Sequence, residues 1–372
     1  MTEPLWRPSS QRVAASHMQR FLTLHARALD TQDYAGLYSW SIAEPDAFWA
    51  ALWDYIGCRS SAPFATVLDD PLAMPGAKWF DGARLNYADN LLKPEHDGIA
   101  MIAYAETGRR SEISRDELRR EVASVASALR GMGVGRNDRV AALLPNCPEA
   151  IVAMLASASI GAIWSSCSPD FGIDGIVDRF GQIQPKVLFA ADGYFYNGKE
   201  IDCRPAVHAV VERLGGLEAL IMVGYRDEVS SFADLASAID YREIARENAK
   251  LEFEPLPFSH PLFILYSSGT TGVPKCIVHG AGASLIQHQK EHMLHTDVHA
   301  GDVLFYFTTC GWMMWNWLAS GLASGATLLL YDGSPFYPDP GALWRIAERE
   351  NLAVFGTSAK YLSALEKTGF RP

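Results

Sequence analysis

Between residues 111 and 190, stretches in which apolar residues recur with helical spacing alternate with short apolar stretches typical of strands. Ser114 with Glu117 is the signature of a capping box and predicts a helix that runs to about Gly131. The periods then predict a strand at 139–144, a helix at 148–160, a strand at 162–166, a helix at 174–180 and a strand at 186–190. Strands that alternate with helices over short connections predict βαβ units, and therefore an α/β fold with a mostly parallel sheet.

The alternation returns after the charged segment 242–250, for which we predict a helix. Strands are predicted at 261–266, 276–279, 303–307, 326–331 and 353–356, and helices at 283–295, 312–324, 340–351 and 359–368. Residues 1–92 are irregular and rich in Trp and Pro, with a helix predicted at 45–56. The pattern stops in mid-alternation at Pro372, so we expect this chain to be the front part of a longer protein.

Composition narrows the classes of function. The 372 residues are 49% apolar and 20% charged, which is typical of a globular protein of two or three domains. A net charge of −11 argues against a nucleic-acid partner. Six cysteines without a CxxC pair, and a front end without a secretory signal, indicate a reducing cytoplasm. The uncharged stretch 312–331 could be a membrane helix, but Gly325 and Asn316 interrupt it, so we expect no membrane span.

The segment 266–275 carries the strongest chemical signal. Two glycines, four hydroxyl side chains and one lysine lie between two apolar strands: Ser267, Ser268, Gly269, Thr270, Thr271, Gly272 and Lys275. Glycine lets a ligand approach the backbone N–H groups, the hydroxyls add donors and the lysine adds a positive charge, as a polyphosphate requires. A Walker A loop is excluded, because Pro274 precedes the lysine and a strand follows it. The alternative is a hairpin turn that binds nothing.

Two further patterns have ordinary structural alternatives. Gly280 and Gly282 match the start of a dinucleotide fingerprint, but Leu285 stands at the third position, so a plain helix entry is favoured. His288, Glu291 and His292 read as H-x-x-E-H, a zinc-binding helix pattern. We favour a polar, solvated helix face there, and keep a zinc hydrolase as a distant alternative.

A run of large apolar side chains follows the strand at 303–307. Trp312, Met313, Met314 and Trp315 are either plain core or one wall of a small acyl pocket beside the loop. The sequence shows no G-x-S-x-G nucleophile elbow. Direct attack of the substrate on a phosphate is therefore the simpler chemistry.

Taken together, these motifs resemble the adenylate-forming family of acyl-CoA synthetases, luciferases and peptide-synthetase adenylation domains. The segment 266–275 is similar to the family's phosphate loop, and 84–91 to the N-terminal extension of the acetyl-CoA synthetase branch. Segments 307–317, 330–336 and 355–361 are most similar to the acetoacetate-activating members of that branch.

The resemblance implies layered, mostly parallel sheets with flanking helices. It divides the chain into an N-terminal extension at 1–92 and an AMP-binding domain at 93–372 that lacks its end and the mobile C-terminal domain. It implies ATP, Mg²⁺, CoA and acetoacetate as cofactor and substrates, with no metal-binding protein residues. Thr270 and Lys275 would act in catalysis, residues 312–315 would bind the acyl group, and Asp170 and Lys199 would meet CoA. The isolated chain would then be inactive, and a non-catalytic nucleotide-binding remnant is the main alternative.

Overall fold

The computed structural model describes residues 6–93, 95–226, 232, 235, 238–246, 248–267 and 272–372. A large sheet holds seven strands in the spatial order Ala238–Asp240, Ala219–Val223, Val187–Ala191, Arg139–Leu143, Ile163–Cys167, Pro261–Ser267 and Lys275–Gly280. Every neighbouring pair is parallel except the last, which is an antiparallel hairpin. The mostly parallel sheet predicted from the alternation is confirmed.

A second sheet of five strands lies against the other side of a shared core. Its order is Val354–Gly356, Val303–Tyr306, Thr327–Asp332, Ile99–Ala105 and Arg110–Ser114, and only the last pair is antiparallel. Three two-stranded ribbons pair Thr66–Leu68 with Trp79–Asp81, Arg84–Leu85 with Leu256–Pro257, and Gly193–Tyr196 with Lys199–Asp202.

The helices form three layers around the two sheets. The α-helices are Ser10–Ala15, His17–Leu24, Tyr34–Ala43, Pro45–Tyr55, Tyr87–Leu91, Arg115–Gly131, Pro148–Ser159, Ile173–Ile183, Arg204–Leu214, Tyr241–Ile244, Ala281–Gln289, Met313–Ser320, Ala342–Arg349 and Ala359–Thr368. Ala26–Ala28 and Gly321–Ser324 are 3₁₀ turns, and Lys290–His295 is a π-helical turn.

The burial of alternate residues along the strands shows how the layers stack. In the large sheet Val140 packs toward the second sheet, whereas its neighbour Ala141 packs toward the helices on the far side. On the second sheet Leu328 packs toward the large sheet, whereas Leu329 packs toward the helices on the outer side. Because successive strand residues face opposite sides, both sheets are covered on two faces, as parallel sheets require. The layered fold that the family resemblance implied is confirmed.

Most predicted elements are confirmed, with ends shifted by a few residues. The capping box is present: the Ser114 hydroxyl accepts from the Glu117 N–H, and the Glu117 carboxylate accepts from the Ser114 N–H. The helix predicted at 242–250 is wrong beyond Ile244, because only Tyr241 and Ile244 bury apolar side chains there. Among the described residues no helix combines the length and the apolar character that crossing a membrane requires.

Candidate functional site

The predicted phosphate loop joins the two strands of the hairpin at the edge of the large sheet. Ser267 pairs with Lys275, and the chain continues from Lys275 as strand. A helix start there, as in a Walker A loop, is therefore excluded. Gly272 has φ +103°, which glycine adopts without strain. Ser268, Gly269, Thr270 and Thr271 lie outside the described residues.

Side chains of neighbouring elements fix the base of this hairpin. Gln182 on the helix Ile173–Ile183 donates from Nε2 to the Pro274 carbonyl at 2.9 Å. The Tyr266 hydroxyl accepts from the Ser165 hydroxyl at 3.1 Å, and the Arg179 guanidinium lies 5.7 Å from the centre of the Tyr266 ring. Lys275 itself is exposed, and no described residue pairs with its ammonium group. The base of the loop is thus held by neighbouring side chains. The ammonium group of Lys275 has no partner among the described residues, so it can bind an anionic ligand.

A cleft of about 830 Å³ lies beside the hairpin. Its walls come from the hairpin's second strand, the helices Ala281–Gln289 and Met313–Ser320, and the ends of two strands of the second sheet. Met313, Met314 and Trp317 supply much of the apolar lining, together with Tyr306. This position agrees with a pocket wall in that part of the chain.

Of the four residues predicted to bind the acyl group, two line the cleft and two do not. Met313 and Met314 line the cleft, whereas Trp312 is 63% exposed and is not part of its wall. Trp315 is fully buried, and its Nε1 donates to Asn146 Oδ1 at 3.0 Å. Trp315 therefore belongs to the core between the sheets.

The solvated helix face predicted for the H-x-x-E-H pattern is wrong. His288 and His292 are 7% and 0% exposed, so neither ring is solvated. Their spacing from Ala281 and Leu285 follows one face of a helix, and this is the signal that would have placed them inside. His292 Nε2 lies 2.8 Å from the Trp317 carbonyl. Within the described ranges, no group of three side chains could hold a metal ion, which does not favour the zinc alternative.

His288 belongs to a buried polar network that sequence reasoning missed. Its Nδ1 lies 2.7 Å from the Ser320 Oγ, and the Tyr87 hydroxyl lies 2.6 Å from the same oxygen. Ser320 in turn donates to the Asn316 carbonyl at 2.9 Å. Burial lowers the pKa of His288 to about 3, with further lowering by His292 and His279. The imidazole is therefore neutral at physiological pH, and it lines the cleft.

Asp170 and Lys199, both predicted to meet CoA, lie on exposed segments that follow strands of the large sheet. Lys199 begins the second strand of the ribbon formed with Gly193–Tyr196. The charge of Asp170 contributes to a raised pKa for Tyr194, on that ribbon, although burial is the larger cause. The structure thus places Asp170 near the ribbon that carries Lys199.

Two carboxylates beside this ribbon, of buried Glu106 and half-buried Asp332, were also missed from sequence. Glu106 accepts backbone N–H groups from Asn197 at 2.8 Å, Gly198 at 2.7 Å and Ser334 at 2.6 Å. It thereby joins the ribbon tip to the loop that follows Asp332. Burial raises the pKa of Asp332 to about 6, although the Asn146 N–H donates to it at 3.2 Å. No local motif marks either residue, because their partners are distant in sequence.

Comparisons with known proteins agree with this geometry. Residues 34–91 match the acetyl-coenzyme A synthetase N-terminus, and residues 92–371 match the AMP-binding enzyme family. An acetoacetyl-coenzyme A synthetase of Rhizobium meliloti is 48% identical over 99% of this chain and 57% of its own length. The acetoacetyl-CoA synthetase of Mus musculus is 44% identical over 99% of the chain and 56% of its own length.

A solved structure shows the same fold. The acetoacetyl-CoA synthetase from Streptomyces lividans superposes with a TM-score of 0.94 at 44% identity, over 99% of this chain and 57% of that protein. The chain thus spans somewhat more than half the length of the relatives it matches. The family match covers most of the 372 residues, and it includes both sheets, the hairpin and the cleft. The chain belongs to the family of AMP-binding enzymes.

Proposed function

We propose that this chain serves the ATP-dependent joining of acetoacetate to CoA. The observation that carries the proposal is a largely apolar cleft beside a glycine- and hydroxyl-rich hairpin, in a chain 44–48% identical to acetoacetyl-CoA synthetases. In the first step a carboxylate oxygen attacks the α-phosphorus of ATP. An oxygen–phosphorus bond forms, the bond to pyrophosphate breaks, and the product is acetoacetyl-adenylate.

The hairpin residues would hold the phosphates in this step. The hydroxyls of Ser267, Ser268, Thr270 and Thr271 and the N–H groups beside Gly269 and Gly272 would donate to phosphate oxygens, and Lys275 would add the positive charge. Carboxylate and triphosphate repel each other, so the cation lowers the barrier by offsetting charge as the two approach. Gln182 and Tyr266 keep the base of the loop in place.

In the second step the CoA thiolate attacks the acyl carbon, a thioester forms and AMP leaves. Lys199 would pair with the phosphates of CoA, and Asp170 would lie along its path; the support is their position at one ribbon beside strand ends. Met313 and Met314 would cover the reactive adenylate and exclude water, so that the thiol rather than water receives the acyl group.

Magnesium fits this arrangement as an ion carried by the nucleotide. Within the described residues no cluster of acidic side chains offers a protein-only site. Phosphate oxygens, with hydroxyls of the hairpin, suit the preference of Mg²⁺ for oxygen ligands. The ion would supply charge neutralisation at the triphosphate.

We also propose that residues 1–92 act as an N-terminal extension and residues 93–372 as the AMP-binding domain. The extension has its own apolar cluster, built around Phe21, Leu52 and Phe80. This cluster continues onto Phe258 and Ile286 of the domain, so the two parts share a packed interface. The six free cysteines agree with a place in the reducing cytoplasm.

The test measures acetoacetate-dependent release of pyrophosphate from ATP, followed by AMP and thioester formation when CoA is added. Because the relatives are longer, we would test both the 372-residue chain and the same chain joined to the remaining part of the Rhizobium meliloti protein. We expect turnover with acetoacetate in at least the joined protein, and ATP binding in both. Joined protein that folds but releases no pyrophosphate with acetoacetate would contradict the proposal.

A further inference from the structure

His288 is one of several polar residues, with His279, Gln287 and Glu291 among the others, in a wall whose surface is largely apolar. It lines the cleft from the helix Ala281–Gln289, opposite Met313, Met314 and Trp317 of the neighbouring helix. Its Nδ1 is held by Ser320, whereas its Nε2 has no partner among the residues that the structure describes. A ring nitrogen that no protein group occupies can form a hydrogen bond with a ligand in the cleft.

The charge of this ring decides what it can recognise. Burial, helped by His292 and His279, lowers the pKa of His288 and keeps the imidazole neutral, so it cannot pair with the carboxylate of an acid as a cation would. It can form a hydrogen bond with a neutral polar group. The cleft volume is far larger than a four-carbon acid, so size alone does not select the substrate.

The network around Ser320 allows two proton arrangements. Tyr87 donates to Ser320 in both. In the first, Ser320 donates to the Asn316 carbonyl and His288 donates from Nδ1 to Ser320. In the second, Ser320 donates to Nδ1, and the ring proton then resides on Nε2. The Asn316 carbonyl keeps its helical partner in the second arrangement, so the exchange costs little.

We propose that Nε2–H of His288 donates to the 3-keto oxygen of the acyl substrate, and that His288 selects 3-oxo acids over unsubstituted short acids. Ser320 is a positioning residue, which holds the ring at Nδ1 by accepting a hydrogen bond from it in one tautomer and donating one to it in the other. The inference rests on the proposed function for the location of the acid. An acid without the ketone leaves Nε2 unpaired, and sites built to hydrogen-bond a substrate group reject analogues that lack it.

The experiment compares acetoacetate with butyrate, which has the same chain length but no ketone. Dissociation constants are measured by NMR on the 372-residue chain, with a non-hydrolysable ATP analogue present. We expect acetoacetate to bind about 10- to 100-fold more tightly than butyrate in the unmodified chain. In His288→Leu the two acids should bind within about threefold of each other. His288→Gln, whose amide can still donate, should recover part of the preference.

The matched control is His208→Leu, on the exposed helix Arg204–Leu214, which should keep the original preference. A second readout uses ¹⁵N-labelled histidine, with the His288 signals identified by their loss in His288→Gln. In the acetoacetate complex Nε2 should carry the proton and Nδ1 should not. This readout needs no disruptive variant, so it decides the matter even where His288→Leu fails to fold.

Two results would overturn the inference. One is an unprotonated Nε2 in the acetoacetate complex, and the other is an unchanged preference in folded His288→Leu. Failure of the proposed function would be seen in a different measurement. Pyrophosphate release by the joined protein would then not depend on acetoacetate. The binding measurements report on His288 in either case, because they do not require turnover.

Discussion

Lys275 presents a cation at the base of a loop suited to phosphate. We predict that Lys275→Ala weakens ATP-dependent adenylation about 10- to 100-fold, the cost of one charge-assisted hydrogen bond, without loss of fold. Acetoacetate-dependent pyrophosphate release by the protein joined to the remaining part of the Rhizobium meliloti relative measures the effect. The control is Lys250→Ala, since the Lys250 side chain is 85% exposed and its ion-pair partner among the described residues is Glu252. Equal rates for Lys275→Ala and the unmodified protein would remove Lys275 from the mechanism.

Asp332 gives a prediction about pH. Burial raises its pKa to about 6 in the folded protein, whereas the unfolded state keeps the usual value near 4. Between about pH 4 and pH 6 the native state therefore holds a proton that the unfolded state has released. The contribution of Asp332 to stability is therefore complete below about pH 4 and is lost as pH rises through 6. Asp332→Asn should raise the free energy of unfolding at pH 7 by about 1–3 kcal/mol and leave it unchanged at pH 4.

Urea unfolding at the two pH values tests this sign. A variant equally stabilised, or destabilised, at both would show that the Asp332 carboxyl is not protonated in the folded protein. Asn keeps the oxygen that accepts from Asn146, so a lost hydrogen bond does not confuse the comparison.

At the scale of elements, the capping box sets the start of the long helix Arg115–Gly131. Ser114→Ala removes the acceptor for the Glu117 N–H and should lower the free energy of unfolding by about 1 kcal/mol. Ser127→Ala lies inside the same helix, where alanine has the higher helix propensity, and should have no cost or a small gain. Urea unfolding of both variants measures the difference. Equal losses would assign the effect to the serine hydroxyl in general rather than to the cap.

The same helix shows why sequence predicted most elements. Its start is marked by Ser114 and Glu117, and its buried positions repeat with helical spacing, so local information was sufficient. The helix predicted at 242–250 carried charge but no sustained apolar face, and of its described residues only 242–244 are helical. The residues of the candidate site also differ in whether local sequence could predict them. The hairpin 267–275 was visible as a local motif, whereas His288, Ser320 and Tyr87 meet only after the chain folds, 32 and 233 residues apart.

At the scale of the molecule, residues 1–92 pack against the rest of the chain through a shared apolar cluster, which includes Phe258 beside Gly282. A Cβ on Gly282 would lie 2.2 Å from the Phe258 ring, which itself packs 4.8 Å from Phe80. Gly282→Ala should therefore displace Phe258 and cost about 1–3 kcal/mol, as overpacking does. Gly131→Ala is the control, because nothing lies within 4 Å of an added Cβ there.

Thermal unfolding and near-ultraviolet circular dichroism of the two variants test this contact. We expect a lower melting temperature and a changed tryptophan signal in Gly282→Ala, because Trp53 stacks on Phe80 at 4.8 Å. Gly131→Ala should unfold at the original temperature or higher. If Gly282→Ala behaves like the control, Phe258 has room to move and does not fix the extension.

The contact at Gly282 also affects how substrate preference can evolve. On the helix Ala281–Gln289, Gly282 and Ile286 lie on the side that packs toward residues 1–92, and His288 lies on the side that lines the cleft. Gly282 and His288 are less than two helical turns apart. We expect a substitution in the apolar cluster that includes Ile286, at Phe21 for example, to shift the backbone that carries the imidazole without touching the ligand. Selection for a different acid therefore has more positions to act on than the cleft lining alone. Exchanging the first 92 residues between relatives would transfer part of their acid preference along with the extension.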